Sequence, residues 1–232
     1  MKNNKQIGYG LIITIGIFAL SALAGSILNL NSAFIPNSFV THTFMLFLSI
    51  GMIYSFRREV NYKISIPKFK KIIKPILLGL LATIVVNLFI VAITGTMGDQ
   101  ETHPVLLNAH PFQVFLFIFI YASIAEELLF RGFLLNILKP LKAKGIDILK
   151  RRVSLPVIIS AVAFGLAHLI LITTGVGGLF ILRVVVFATV LGLIAGYYQE
   201  KYDNNAFAIL VHMAGNLFGV IGAIMMSVNS YL

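Results

Sequence analysis

Seven runs of nearly unbroken apolar residues, each about 18 to 28 long, alternate along the chain with shorter polar stretches. They extend over Ile7–Leu28, Phe39–Phe56, Pro75–Thr94, Pro111–Leu138, Leu155–Ile172, Leu179–Tyr198 and Ala206–Val228. An α-helix of about 20 residues crosses the hydrocarbon core of a bilayer, and it satisfies its own backbone hydrogen bonds while doing so. The alternation of apolar and polar residues that marks a barrel strand is found nowhere. The pattern predicts an all-α, polytopic membrane bundle of about seven transmembrane helices. Within the first run, Ala22-Leu23-Ala24 before Gly25 resembles a signal-peptidase site after a basic start. The run continues past that site to Leu28, long enough to span, and is read as the first transmembrane helix. The segment Lys63 to Lys74 mixes Ile64, Ile66, Phe69, Ile72 and Ile73 with five lysines, as an anchor along the inner interface would, or as a plain basic loop would.

Composition agrees with this pattern. Apolar residues make up 59% of the 232 and charged residues 11%, against roughly 45–50% and about 25% in soluble domains. A soluble enzyme, a DNA-binding module and a disordered tail are excluded. The formal charge of +10 does not change this, because the basic residues sit in alternate connections and not beside aromatic stacking residues in a soluble module. Lys2 and Lys5 precede the first run, Arg57 to Lys74 holds seven basic residues, Lys139 to Arg152 holds six, and Lys201 lies near the sixth connection. Connections near 29–38, 95–110 and 173–178 hold no Lys or Arg. The positive-inside rule puts the N-terminus in the cytoplasm and the C-terminus outside. With no cysteine there is no disulfide, thiol nucleophile or thiolate metal site.

A charge near the bilayer centre costs at least about 2.5 kcal/mol, so ionisable residues inside spans are candidates for function. Glu126, Glu127 and Arg131 lie in the fourth span, His168 in the fifth, Arg183 near the start of the sixth and His212 in the seventh. Arg183 is close enough to the outer end to snorkel. Counting about 1.5 Å per residue puts Glu126 about 18 Å from the inner end of its span, His168 about 20 Å, His212 about 10 Å and Asn216 about 15 Å. Three helices thus bring polar groups to overlapping depths. Glu127 and Arg131 are four apart in the favourable order for a helical ion pair. Glu126, rotated about 100° away, must find its partner on another helix, with His168 and His212 the candidates. His42, His103 and His110 are placed at or beyond the outer edge, and Asp99, Glu101, His103 and His110 are read as solvated loop residues.

A carboxylate, two imidazoles and an amide contain no side-chain nucleophile, so a hydrolase built from them must use water. In one arrangement Glu126 with His168 removes a proton from water while His212 and Asn216 stabilise the oxyanion of a peptide carbonyl. In the other, Glu126, His168 and His212 supply ligands to a divalent metal, zinc by donor type, with a glutamate as base. The cofactor is therefore one zinc ion or none. Zincin and serine-elbow motifs are absent, as is any aspartate within a span.

Glu126-Glu127-Leu128-Leu129-Phe130-Arg131 matches E-E-x-x-x-R, Phe164 to His168 matches F-x-x-x-H, and His212 to Asn216 matches H-x-x-x-N. In that order the motifs resemble the CPBP, or Abi, family of intramembrane proteases, which includes type II CAAX prenyl endopeptidases and bacteriocin-processing or immunity proteins. The resemblance covers about residues 111–228. It implies that Glu126 is the catalytic glutamate, that His168, His212 and Asn216 complete the site, and that Glu127, Arg131 and Phe164 support it. It also implies a membrane-associated peptide or protein as substrate; the expected location is a prokaryotic cell membrane, and the depth counts with the charge-based orientation put the site toward the cytoplasmic side. The chain divides on this reading into N-terminal helices with the basic segment, 1–110, and a catalytic core, 111–232. Two rival classes use the same residues: an ion- or proton-coupled transporter, and a non-catalytic scaffold of the same family. Gly192-x-x-x-Gly196 and Gly215-x-x-x-Gly219 are read as close-packing surfaces.

Overall fold

The computed structural model describes residues 2–28, 30–96, 109–148 and 150–229. Within them seven helices are long and apolar enough to cross a membrane. They are α1 (Lys2–Ile27), α2 (Ser38–Ser55), α3 (Phe69–Thr96), α4 (Pro111–Leu135), α5 (Leu155–Ala167, continued as a 3₁₀ helix over His168–Thr174), α6 (Gly178–Tyr202) and α7 (Ala206–Asn229). Large apolar side chains such as Ile12 and Ile15 on α1, Leu81, Leu88 and Phe89 on α3 and Met225 on α7 lie exposed on the outside of the bundle. In water such a surface would be unfavourable by about 25 cal/mol per Å²; against lipid it is solvated. The protein is a multi-pass integral membrane protein.

Helix α4 is the centre of the bundle, with α1, α2, α5 and α7 packed on it. Every residue from Glu127 to Leu138 is buried, the polar Glu127, Arg131 and Asn136 among them. Its start is a capping box: His110 Nδ1 accepts from the Phe112 N–H at 3.2 Å, and the His110 N–H donates to Gln113 Oε1 at 2.6 Å. His110 is thus a helix cap. Asp99, Glu101 and His103 lie outside the described residues. Two stretches of α4, Val114–Ala122 and Leu128–Leu135, are wound as π-helix, on either side of one α-helical turn, Ser123–Glu127. Inside α-helices, π-turns are rare and often accompany function. Carbonyls in the second stretch take side-chain donors: Asn136 Nδ2 and Gln199 Nε2 both donate to Arg131 O, at 2.9 and 2.8 Å, and Ser160 Oγ donates to Phe130 O at 2.7 Å.

The connections at the basic end differ from the sequence expectation in two ways. Between α4 and α5 a two-stranded antiparallel hairpin pairs β1 (Gly145–Ile148) with β2 (Arg151–Ser154), and Ser154 then caps α5. The basic segment before α3 divides into two parts. Residues from Phe69 onward already belong to α3, while those just before are extended and tied to the α6–α7 turn. Asn205 N–H donates to Lys63 O at 2.9 Å, Ser65 N–H to Asn204 Oδ1 at 3.1 Å, and Asn204 Nδ2 to Ser65 O at 2.9 Å. Asp203, which ends α6 in a left-handed conformation, accepts from Lys63 Nζ at 2.6 Å and Lys139 Nζ at 3.0 Å. The Lys63 hydrogen bond, against a smaller opposing effect of burial, holds the Asp203 carboxyl below its ordinary value. That tie is complete at neutral pH and is released only as pH falls through the lowered value. Three basic connections are thereby joined at one end of the bundle.

Three of the four glycines expected to pack closely do so. A Cβ on Gly192 would lie 2.5 Å from Arg131 Nη2 and 3.1 Å from Ala161 Cα; one on Gly196 would lie 3.1 Å from Val157; one on Gly215 would strike Leu191. Gly219 has open space. Gly192→Ala is expected to destabilise the protein by about 1–3 kcal/mol through overpacking, whereas Gly219→Ala should be neutral or, by helix propensity, stabilising by up to ~1 kcal/mol. Thermal unfolding in detergent checks this, and equal midpoints for the two variants would contradict the packing.

Candidate active site

Glu126 and Glu127 occupy the α-helical turn between the two π-stretches, and their side chains go to different partners. Glu127, 1% exposed, accepts from Arg131 at 2.8 Å, and Arg131 is itself 0% exposed. Its Oε1 also receives His212 Nδ1 from α7 at 2.9 Å. The expected ion pair is present, and Glu127 has a second function as the group that orients His212. The Arg131 guanidinium lies 4.5 Å from the centroid of Phe164. That phenyl ring is a wedge at the centre of the site: its centroid is 5.0 Å from His168, 5.3 Å from His212 and 5.2 Å from Phe130, all edge-to-face. Both imidazoles are therefore held on one side chain from α5.

Glu126, 17% exposed, is the more accessible of the two glutamates. Its Oε2 faces His212 Nε2 at 3.7 Å, beyond hydrogen-bond length. Its close partner was not anticipated: His42 on α2 places Nε2 at 3.1 Å from Oε1. Placing His42 at the outer edge is corrected by this contact. The α2 helix begins at Ser38, and His42, one turn in, is buried in the bundle. His168 is close enough to Glu126, His42 and His212 for their charges to interact, but its one hydrogen bond given by the structure runs from Nδ1 to Phe164 O at 2.9 Å.

The hydrogen-bond partners assign the imidazole tautomers. Nδ1 of His42 faces Ser38 O at 2.6 Å and Nδ1 of His168 faces Phe164 O, both carbonyls that can only accept. Nδ1 of His212 faces the Glu127 carboxylate. Each Nδ1 therefore carries a hydrogen. In the neutral ring each Nε2 is then a bare acceptor. Because carboxylate oxygen and bare nitrogen both accept, the His42–Glu126 contact holds one shared proton.

Asn216 reaches α4 one turn away from Glu126. Its Nδ2 donates to Ser123 Oγ at 3.1 Å and to Ile118 O at 3.5 Å, the latter a carbonyl of the first π-stretch. Its hydrogen bonds therefore go to α4 one turn before Glu126, where Ser123 is buried.

As a metal site, the donor types fit zinc, and the pairing of each Nδ1 with an acceptor is the arrangement that orients metal-binding histidines. Their spacing does not: among the described residues no group of three His, Asp or Glu side chains stands where it could hold an ion. What the arrangement supplies directly is a carboxyl beside imidazoles, with the Glu126 side chain 17% exposed.

Carboxylates and imidazoles from four membrane-crossing helices, α2, α4, α5 and α7, are thus gathered in one part of the bundle. Residues 108–218 match the family model described as Type II CAAX prenyl endopeptidase Rce1-like. The matched stretch, a little under half of the chain, contains all three motifs from Glu126 to Asn216 and is similar to that family of CAAX-type intramembrane endopeptidases. Helix α2, with His42, lies outside the match. No curated protein and no solved structure matches the chain significantly.

Proposed function

We propose that the protein is an intramembrane endopeptidase that hydrolyses a peptide bond of a membrane-anchored peptide or protein with a water activated by Glu126. The observation that supports it most is the state of that carboxyl. One oxygen is held by His42, and the other faces His212 at 3.7 Å without a hydrogen bond. Water bound there gives its proton to Glu126 as its oxygen attacks the carbonyl carbon, and His168 Nε2, a bare acceptor, helps orient it. The developing oxyanion takes hydrogen bonds from His212 Nε2–H, present when that ring is charged, and from the Asn216 amide once one of its N–H groups turns from Ser123. Collapse breaks the C–N bond, and the proton held by Glu126 goes to the departing amine. Glu127 and Arg131 orient His212, as the buried carboxylate does in a hydrolytic triad.

Substrates of the CAAX type, or peptides matured as bacteriocins are, fit the family, and the joined basic connections fit a cytoplasmic N-terminus with hydrolysis toward that side. The test is cleavage of vesicle-anchored peptides, prenylated and unprenylated, by purified wild type and by Glu126→Gln. Asn216→Ala is expected to keep the fold and any bound metal and to lower hydrolysis by about 10²–10³-fold, the effect of removing one oxyanion donor. Loss of bound zinc together with activity, measured by elemental analysis, would instead assign the amide to a metal.

A further inference from the structure

We infer that His42 is a positioning residue of the site, contributed by a helix outside the family-matched region, and that it selects which oxygen of Glu126 acts as the base. The inference deepens the hydrolytic reading above and rests on it for its kinetic test.

The geometry is specific. His42 hydrogen-bonds Oε1 of the Glu126 carboxyl at 3.1 Å, and Oε2 lies on the side of His212. Its own orientation is fixed from behind by the carbonyl of Ser38, four residues earlier. His168 uses the same device with Phe164, also four residues earlier. Two imidazoles on different helices thus have the same backbone anchoring of Nδ1, from a carbonyl four residues back.

The contact is also clamped on both sides. On the next residue, Thr43 Oγ1 shares a hydrogen bond with Tyr121 OH at 2.9 Å. One turn earlier on α2, Phe39 stacks on Tyr121 at 5.1 Å and meets Phe117 edge-to-face at 5.6 Å. Tyr121 and Phe117 belong to the first π-stretch of α4, so these contacts fix α2 against the helix that carries Glu126. A carboxyl free to rotate about its terminal torsion, which is broad and roughly two-fold, would offer either oxygen to water. Held by one oxygen, it offers one.

A hydrogen bond to a charged group contributes enough that its loss is expected to slow turnover by about 10- to 100-fold. The experiment compares full-length wild type, His42→Ala and His42→Gln in vesicles containing an anchored reporter peptide. Expected is a drop in kcat of about that size for His42→Ala, with KM changed less than about threefold, and partial recovery in His42→Gln, whose amide N–H can still donate to Oε1. An unchanged kcat in His42→Ala, or a His42→Gln no better than His42→Ala, overturns the inference. Should wild type cleave nothing, it is the hydrolytic reading that fails. The positioning claim is then decided by carbodiimide labelling of Glu126, followed by mass spectrometry. A labelling rate altered several-fold in His42→Ala and returned toward wild type in His42→Gln supports it, and equal rates in all three proteins overturn it.

Discussion

Glu126→Gln should reduce hydrolysis by about 10⁴-fold, the upper end of what a positioned general base contributes, while the protein folds as before. The substitution keeps the shape of the side chain, and its amide oxygen or nitrogen can still meet His42 Nε2. What it removes is the capacity to take a proton from water. Neither His168 nor His212 replaces it at full strength. His168 approaches from the 3₁₀ extension of α5 with a single anchored nitrogen, and His212 is committed to Glu127 through Nδ1. Product appearance by mass spectrometry, beside a thermal midpoint in detergent, separates lost chemistry from lost fold. Residual activity within tenfold of wild type would place the base elsewhere.

The second large effect is structural and concerns the buried pair behind the site. Arg131→Met should destabilise the bundle by about 3–5 kcal/mol, since it leaves the Glu127 carboxylate buried without its cation. Glu127→Gln, which leaves the guanidinium uncompensated, should cost a similar amount. The pair is incompletely satisfied: among the described residues Arg131 Nε and Nη2 and Glu127 Oε2 find no hydrogen-bond partner. Replacing both residues together should therefore recover much of the stability, because an ion pair of this kind adds little net stability over apolar groups of similar volume. Activity should not recover with it, since His212 loses the acceptor that holds Nδ1. Unfolding midpoints for the two single variants and the double variant test this, and singles as stable as wild type would contradict it. A double variant that is stable but also fully active would show that Glu127 does not orient His212.

The spans were legible because a lipid-facing helix must be apolar over its whole length. The Glu127–Arg131 pair was legible because its spacing lies within one helix. The cross-helix contacts were not, because they depend on how each helix is rotated about its axis. That rotation decides that His212 bonds Glu127 and only approaches Glu126, and that Asn216 meets Ser123. His42 could have been found by counting. It lies inside the second run, about 20 Å from that run's inner end, the same depth as Glu126 and His168. Judging it by its nearness to the run's first residue hid this. The hairpin at 145–154 carries little signal, since its strands are four residues long. Its Leu149-Lys150 connection also lacks the Asn-Gly or Asp-Gly chemistry of tight turns, with Lys150 taking a positive φ of 62° instead. The third apolar run starts at Pro75, whereas α3 starts at Phe69: Pro75 lies inside the helix, and the lysines before it extend the helix out of the apolar run. The π-winding of α4 has no sequence signature in the apolar stretch Val114–Ala122.

In the proposed reaction Glu126 activates water and does not itself attack the peptide. Single-turnover cleavage of a vesicle-anchored peptide in H₂¹⁸O, with mass spectrometry of both product and enzyme, tests it most directly. One ¹⁸O is expected in the new carboxylate of the product and none in Glu126. Label in the Glu126 carboxyl, which would require an acyl-enzyme opened by water, would contradict it.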